Sequence, residues 1–164
     1  MLHLEKNGPI FGTLKLALAL ACLALCGTAY AQTQKSGEIN RNSADDAPLL
    51  MDFKGVSLGM SADEVRHKLG SPKDKADDQD FYVFNDKLTA QVLYDKSHKV
   101  VTISADFIGG SDAPTPKSVF GSDIEAKPDG SIYKMVRYPK AGCWVSYNRT
   151  AGDTPLVTVT IQKN

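Results

Sequence analysis

The sequence predicts an α+β fold of two tandem repeats, each a short helix followed by a three-stranded antiparallel meander, with helices covering one face of the sheet. Three features predict it. Ser61-Ala62-Asp63-Glu64 has the pattern of a helix-opening capping box. Three strand-like runs follow, with alternating apolar and polar residues between turn-forming segments. A second glycine-closed helix and three more such runs then repeat the plan.

At the start of the chain, Lys6 and Lys15 precede an apolar run from Leu16 to Cys26, and Ala29-Tyr30-Ala31 has the small-x-small pattern of a cleavage site. The run is shorter than the roughly 20 apolar residues that cross a bilayer. Residues 1–31 therefore read as a signal peptide, and the mature chain is expected to begin at Gln32 and to be exported to the periplasm or the medium. Cys22 and Cys26 are the alternative lipidation sites. Either would attach the mature protein to a membrane, although Leu25 is large where a small residue should precede Cys26. Residues 32–52 carry few large apolar side chains over most of their length and read as a flexible linker.

The first repeat is expected over 53–108. Ser61 can accept a hydrogen bond from the backbone while Glu64 reaches back to the Ser61 amide, and Met60 with Val65 forms a hydrophobic staple. Ala62, Val65 and Leu69 share one face. Gly70 supplies the stop, and Pro72 prevents continuation. Strands are expected near 81–84, 88–94 and 100–107. In the third, Val101, Ile103, Ala105 and Phe107 alternate with Thr102, Ser104 and Asp106, which gives a packed face and an open one. The second repeat is expected over 109–164: a helix at 115–120 closed by Gly121, then strands near 132–133, 143–147 and 157–161.

Gly55-Val56-Ser57-Leu58-Gly59-Met60-Ser61, Glu64-Val65, Leu69-Gly70-Ser71-Pro72 and Val100-Val101-Thr102-Ile103 together resemble the BamE-type (SmpA/OmlA) domain of bacterial envelope proteins. The carrying positions are Gly59, Ser61, Glu64, Gly70 and Pro72, with Gly121 as the counterpart of Gly70. Two such units in tandem also resemble the beta-lactamase inhibitory protein fold. That resemblance implies a concave sheet that grips a protein partner.

The chain is poor in recognisable chemistry. Nineteen Lys and Arg balance nineteen Asp and Glu over 164 residues, and removal of Lys6, Lys15 and Glu5 with the signal peptide leaves the balance nearly neutral. No basic field exists to hold a nucleic acid. Gly55-Val56-Ser57-Leu58-Gly59 matches a nucleophile elbow, but that motif needs a strand–turn–helix in a parallel sheet. Asp74, Asp77, Asp78 and Asp80 cluster without the spacing of a calcium loop. Cys143, the one mature cysteine, is either a small buried hydrophobe or an exposed thiol able to cross-link two chains.

With His67 and His98 the only mature histidines and no phosphate loop or paired zinc ligands, the expectation is a non-enzymatic protein-binding module of the cell envelope without cofactor or metal. The alternative is a lipid-anchored outer-membrane assembly or maintenance factor. The expected contact residues are Trp144, Tyr82, Tyr133 and Arg137, because Tyr, Trp and Arg dominate binding surfaces.

Overall fold

The computed structural model describes residues 47–110 and 112–164. The expected signal peptide, Cys22, Cys26 and residues 32–46 of the expected linker lie outside the described residues. Residues 47–52, also assigned to the linker, take part in the fold: Pro48 is buried and Leu50 packs against the core.

The chain enters through a small hairpin, β1 (Asp52–Phe53) and β2 (Val56–Ser57). Lys54 and Gly55 both have positive φ, 51° and 79°, the type I′ geometry that matches the twist of a two-residue hairpin. Helix α1 (Ala62–Leu69) follows. Its capping box is formed in both directions: the Ser61 Oγ accepts from the Glu64 amide at 3.3 Å, and the Ser61 amide donates to the Glu64 carboxylate at 2.7 Å. That second bond is the main cause holding the Glu64 carboxyl below its usual range. Gly70 ends the helix at φ 86° and ψ −164°, a region open to glycine but outside the expected left-handed well. Ser61→Ala should destabilise the fold by about 0.5–2 kcal/mol, the usual loss of an N-cap side chain. Urea denaturation measures it, and an unchanged midpoint would remove the cap from the stability account.

Beyond α1 run β3 (Asp74–Lys75), β4 (Gln79–Asn85), β5 (Leu88–Tyr94) and β6 (Val100–Ile108). Helix α2 (Pro116–Phe120) has Thr115 as N-cap and Gly121 in the left-handed region at its end. The last strands are β7 (Ile132–Tyr138), β8 (Cys143–Arg149) and β9 (Leu156–Lys163).

The expected α+β class, with tandem helix-and-meander units, is corrected by this architecture. The described chain is mostly β: one seven-stranded antiparallel sheet in the order β3-β4-β5-β6-β9-β8-β7, a two-stranded hairpin, and helices of only eight and five residues. The physical reason is that β6 and β9 pair with each other from Thr102↔Gln162 to Ile108↔Leu156. One sheet therefore crosses the boundary expected between residues 108 and 109. Helices of little more than two turns and little more than one cannot form a layer of their own; they serve as patches on that sheet.

Both helices and the hairpin pack on the same face. Val65, Ala62 and Val56 meet Tyr82, Val92 and Ile103, while Val119 meets Val145, Tyr147 and Val157. No described element covers the opposite face.

Candidate functional site

Directly paired residues of an antiparallel sheet project from the same face, so the register assembles the open face row by row. Trp144 pairs with Arg137 on β7 and Gln162 on β9, and the row continues through Thr102 and Leu93 to Gln79. The next row is Met135, Ser146, Thr160, Ser104, Gln91 and Phe81. A third joins Tyr133, Asn148, Thr158, Asp106, Thr89 and Val83.

The centre of this face is held by its own side chains. The Thr158 hydroxyl donates to Asp106 at 2.6 Å, Ser104 and Thr160 share a hydrogen bond of 3.0 Å, and Gln91 donates to Gln79 at 3.0 Å. Exposed apolar side chains lie at both ends of the face: Tyr133 is 63% and Met135 41% exposed together on β7, and Val83 stands at the β4 end at 51%. Trp144 is half-buried between Arg137 and Gln162, while its neighbours Cys143 and Val145 point into the core.

Of the four expected contact residues, the structure brings Trp144, Tyr133 and Arg137 together on neighbouring strands of the open face. Tyr82 is a correction. It projects from the covered face and is 2% exposed, because β4 begins at Gln79 and its alternation sends Asp80, Tyr82 and Phe84 toward the covered face. Met135 joins the cluster without having been anticipated. Strict alternation with Tyr133 and Arg137 was the signal that could have found it.

The sequence reading also missed a buried polar network. Asp80 is fully buried on the covered face, not solvated among loop acids. The Arg66 guanidinium from α1 donates to both its oxygens, Nε to Oδ2 at 2.9 Å and Nη2 to Oδ1 at 3.0 Å. The Tyr94 and Tyr82 hydroxyls donate to Oδ2 at 2.7 and 3.3 Å. Four donor contacts satisfy the carboxylate, so the network fastens α1 to β4 and β5.

Burial, helped by the Asp80 charge, pushes the Tyr82 phenol up from 10.0 to about 12 and raises Tyr94 as well. The folded chain keeps these protons where the unfolded chain releases them, so the stability they contribute is complete below pH 10 and is lost as pH rises toward about 12. Urea midpoints should hold steady to about pH 9 and fall by about pH 11. A flat profile across that window would contradict the assignment.

The other candidate features are locally explained. Ser57 sits in the antiparallel β1–β2 hairpin, not in the strand–turn–helix of a nucleophile elbow. Cys143 is 4% exposed, and burial raises its thiol pKa. His67 lies on the exposed side of α1. Among the described residues, no three His, Cys, Asp or Glu side chains come together as a metal site.

An apolar hollow of about 320 Å³ opens on the covered face over Ile103, Ala105 and Val159. Its polar lining is partly engaged: Asp52 accepts from the Gly55 amide at 2.8 Å, and the Lys54 ammonium lies 5.1 Å from the Phe84 ring centroid.

No protein-family model and no curated protein matches the chain. Among solved structures it is similar to a DUF4309 family protein, YjgB, from Bacillus subtilis subsp. subtilis str. 168. The identity is 14%, the TM-score is 0.47, and the match covers 75% of this chain and 92% of that one. A likeness at this level carries neither fold nor function to the present chain.

Proposed function

We propose that the chain is an exported, non-enzymatic protein-binding module of the bacterial cell envelope and that it binds through the open sheet face at β7 and β8. The carrying observation is the convergence there of Tyr133, Met135, Trp144 and Arg137, with the first two well exposed and no described element above them. Aromatic residues and arginine are the side chains that most often anchor protein interfaces. Methionine adds an adaptable apolar surface. Export is supported by the charged, apolar and small-residue pattern of residues 1–31.

A second reading, a lipid-anchored envelope-maintenance factor, draws support from Cys22, Cys26 and the Gly59-Met60-Ser61 resemblance to BamE-type domains. Mass spectrometry of the mature amino terminus separates the two: a free Gln32 favours the diffusible module, and a diacylated cysteine favours the anchored factor.

The binding reading is tested by immobilising the protein and capturing its partner from envelope extract, with the Tyr133→Ser, Met135→Ser double variant in parallel. The variant should fold and lose the captured protein. Equal capture by the folded variant would reject the open face as the contact surface.

A further inference from the structure

The sheet has two edges, and they are built differently. One is β3, two residues long, both charged and exposed. The other is β7, seven residues long, paired with β8 on one side only. No backbone hydrogen bond from another described segment reaches residues 132–137. Such an edge presents a row of backbone donors and acceptors that a further strand can pair with. Tyr133 and Met135, two of the exposed large hydrophobic residues, lie on this same strand.

Charge selects the kind of strand. β7, β8 and β9 carry Lys134, Arg137, Arg149 and Lys163 and no Asp or Glu. On β7, Lys134 lies over the Phe120 ring at 5.3 Å on the covered face, while Arg137 projects from the open face with no acidic partner among the described residues. A second copy pairing β7 with β7 would set this cationic edge against itself, and like charges facing each other across strands are unfavourable. An acid-bearing strand is complementary on both faces.

We infer that the outer edge of β7 accepts an extended, acidic polypeptide segment as an eighth strand of the sheet. The segment's backbone pairs with β7, its carboxylates meet Arg137 or Lys134, and its apolar residues lie beside Tyr133 and Met135. This rests on the protein-binding reading above and gives the partner's chemistry. It uses the strand-addition mode, in which main-chain bonds supply affinity and alternate side chains supply selectivity.

The test uses isotope-labelled protein and three blocked octapeptides. In the first, glutamate alternates with valine and threonine. The second has lysine in place of glutamate, and the third is the glutamate peptide with alternate backbone nitrogens methylated. The glutamate peptide should shift the amide resonances of β7 and slow hydrogen exchange there. The lysine and methylated peptides should bind at least about tenfold more weakly. A Lys134→Glu, Arg137→Glu variant that keeps its thermal midpoint should reverse the preference and take the lysine peptide.

Equal binding of the methylated peptide would show side-chain adhesion without strand addition and overturn the inference. Equal binding of the glutamate and lysine peptides, or of neither, would also overturn it and leave the basic residues as guards against edge-to-edge aggregation. Displacement of the glutamate peptide by single-stranded oligothymidylate at the same charge concentration would overturn it in favour of a general polyanion site.

The two readings fail separately. If the glutamate peptide leaves the β7 amides of the parent protein unshifted while the Tyr133→Ser, Met135→Ser variant loses the captured envelope protein, the edge inference falls and the open-face reading stands. If the Tyr133→Ser, Met135→Ser variant keeps the captured protein while the glutamate peptide still binds β7, the open-face reading falls and the edge inference stands.

Discussion

Arg66→Met should lower stability by about 3–5 kcal/mol, because removing one partner of a buried ion pair leaves the other charge without its compensation. Asp80 is 0% exposed and depends on Arg66 for bonds to both its oxygens. After the substitution only the hydroxyls of Tyr94 and Tyr82 remain, and both contact Oδ2, leaving Oδ1 without a donor. The Arg66 side chain is itself 23% exposed, so water entering from its side places the expected loss toward the lower part of that range. The exposed contact from Arg66 to Asp63, at 3.7 Å, adds little that salt would not screen.

The double variant Arg66→Met, Asp80→Leu distinguishes the cost of an orphaned charge from the worth of the pair. Replacing both partners with apolar residues of similar volume is often neutral. The double variant should therefore recover a large part of the loss, and urea denaturation of the three proteins gives the comparison. A single Arg66→Met variant as stable as the parent would show that Asp80 finds other compensation and that the network does not fasten α1.

The elements that could be read from the sequence are those specified by near neighbours. The Ser61–Glu64 capping box spans one helical turn, Gly121 closes α2 just after Phe120, and the alternation from Val100 to Phe107 marks a half-covered strand. The single sheet could not be read this way. Its joining contacts, such as Ser104 with Thr160 and Asp106 with Thr158, link residues far apart in the chain, and local pattern carries no information on which strand edges meet. Counting repeated helix-and-strand units consequently overstated the helices and hid the continuity of β6 with β9.

The same distinction applies to the side chains. Trp144 could be assigned to the open face because Cys143 and Val145 on either side are both core-forming residue types. Tyr82 could not be assigned, since it lies between Phe81 and Val83 and either parity places apolar residues inside. Asp80 was masked by its neighbours: in a run with Asp77 and Asp78 it resembles one more solvated acid. Its role depends on Arg66 and Tyr94, each fourteen residues away, which meet it only when α1 lies across β4 and β5.

Trp144→Ala should cost at least ~2 kcal/mol of partner binding, about thirtyfold in affinity, which is the usual effect of truncating an aromatic anchor. Trp144 is half-buried on the open face, flanked by Arg137 and Gln162, so a partner seated there removes the remaining water from a large apolar surface already held in place by its neighbours. Arg137 beside it has no acidic partner among the described residues and can turn toward the same contact.

Stability should respond much less than binding does. Ile161 is the inward comparator: it is 3% exposed, pairs with Val145 and lies in the core, so Ile161→Ala should cost about 2–5 kcal/mol of folding stability. Trp144→Ala leaves a dent in a solvated surface instead of an enclosed cavity, and its denaturation midpoint should fall well short of the Ile161→Ala shift. Affinity for the captured envelope protein and urea midpoints, measured on the same two variants, decide the matter. If Trp144→Ala lost as much stability as Ile161→Ala, the ring would be a packing residue, and the open face would lose the anchor on which its binding role rests.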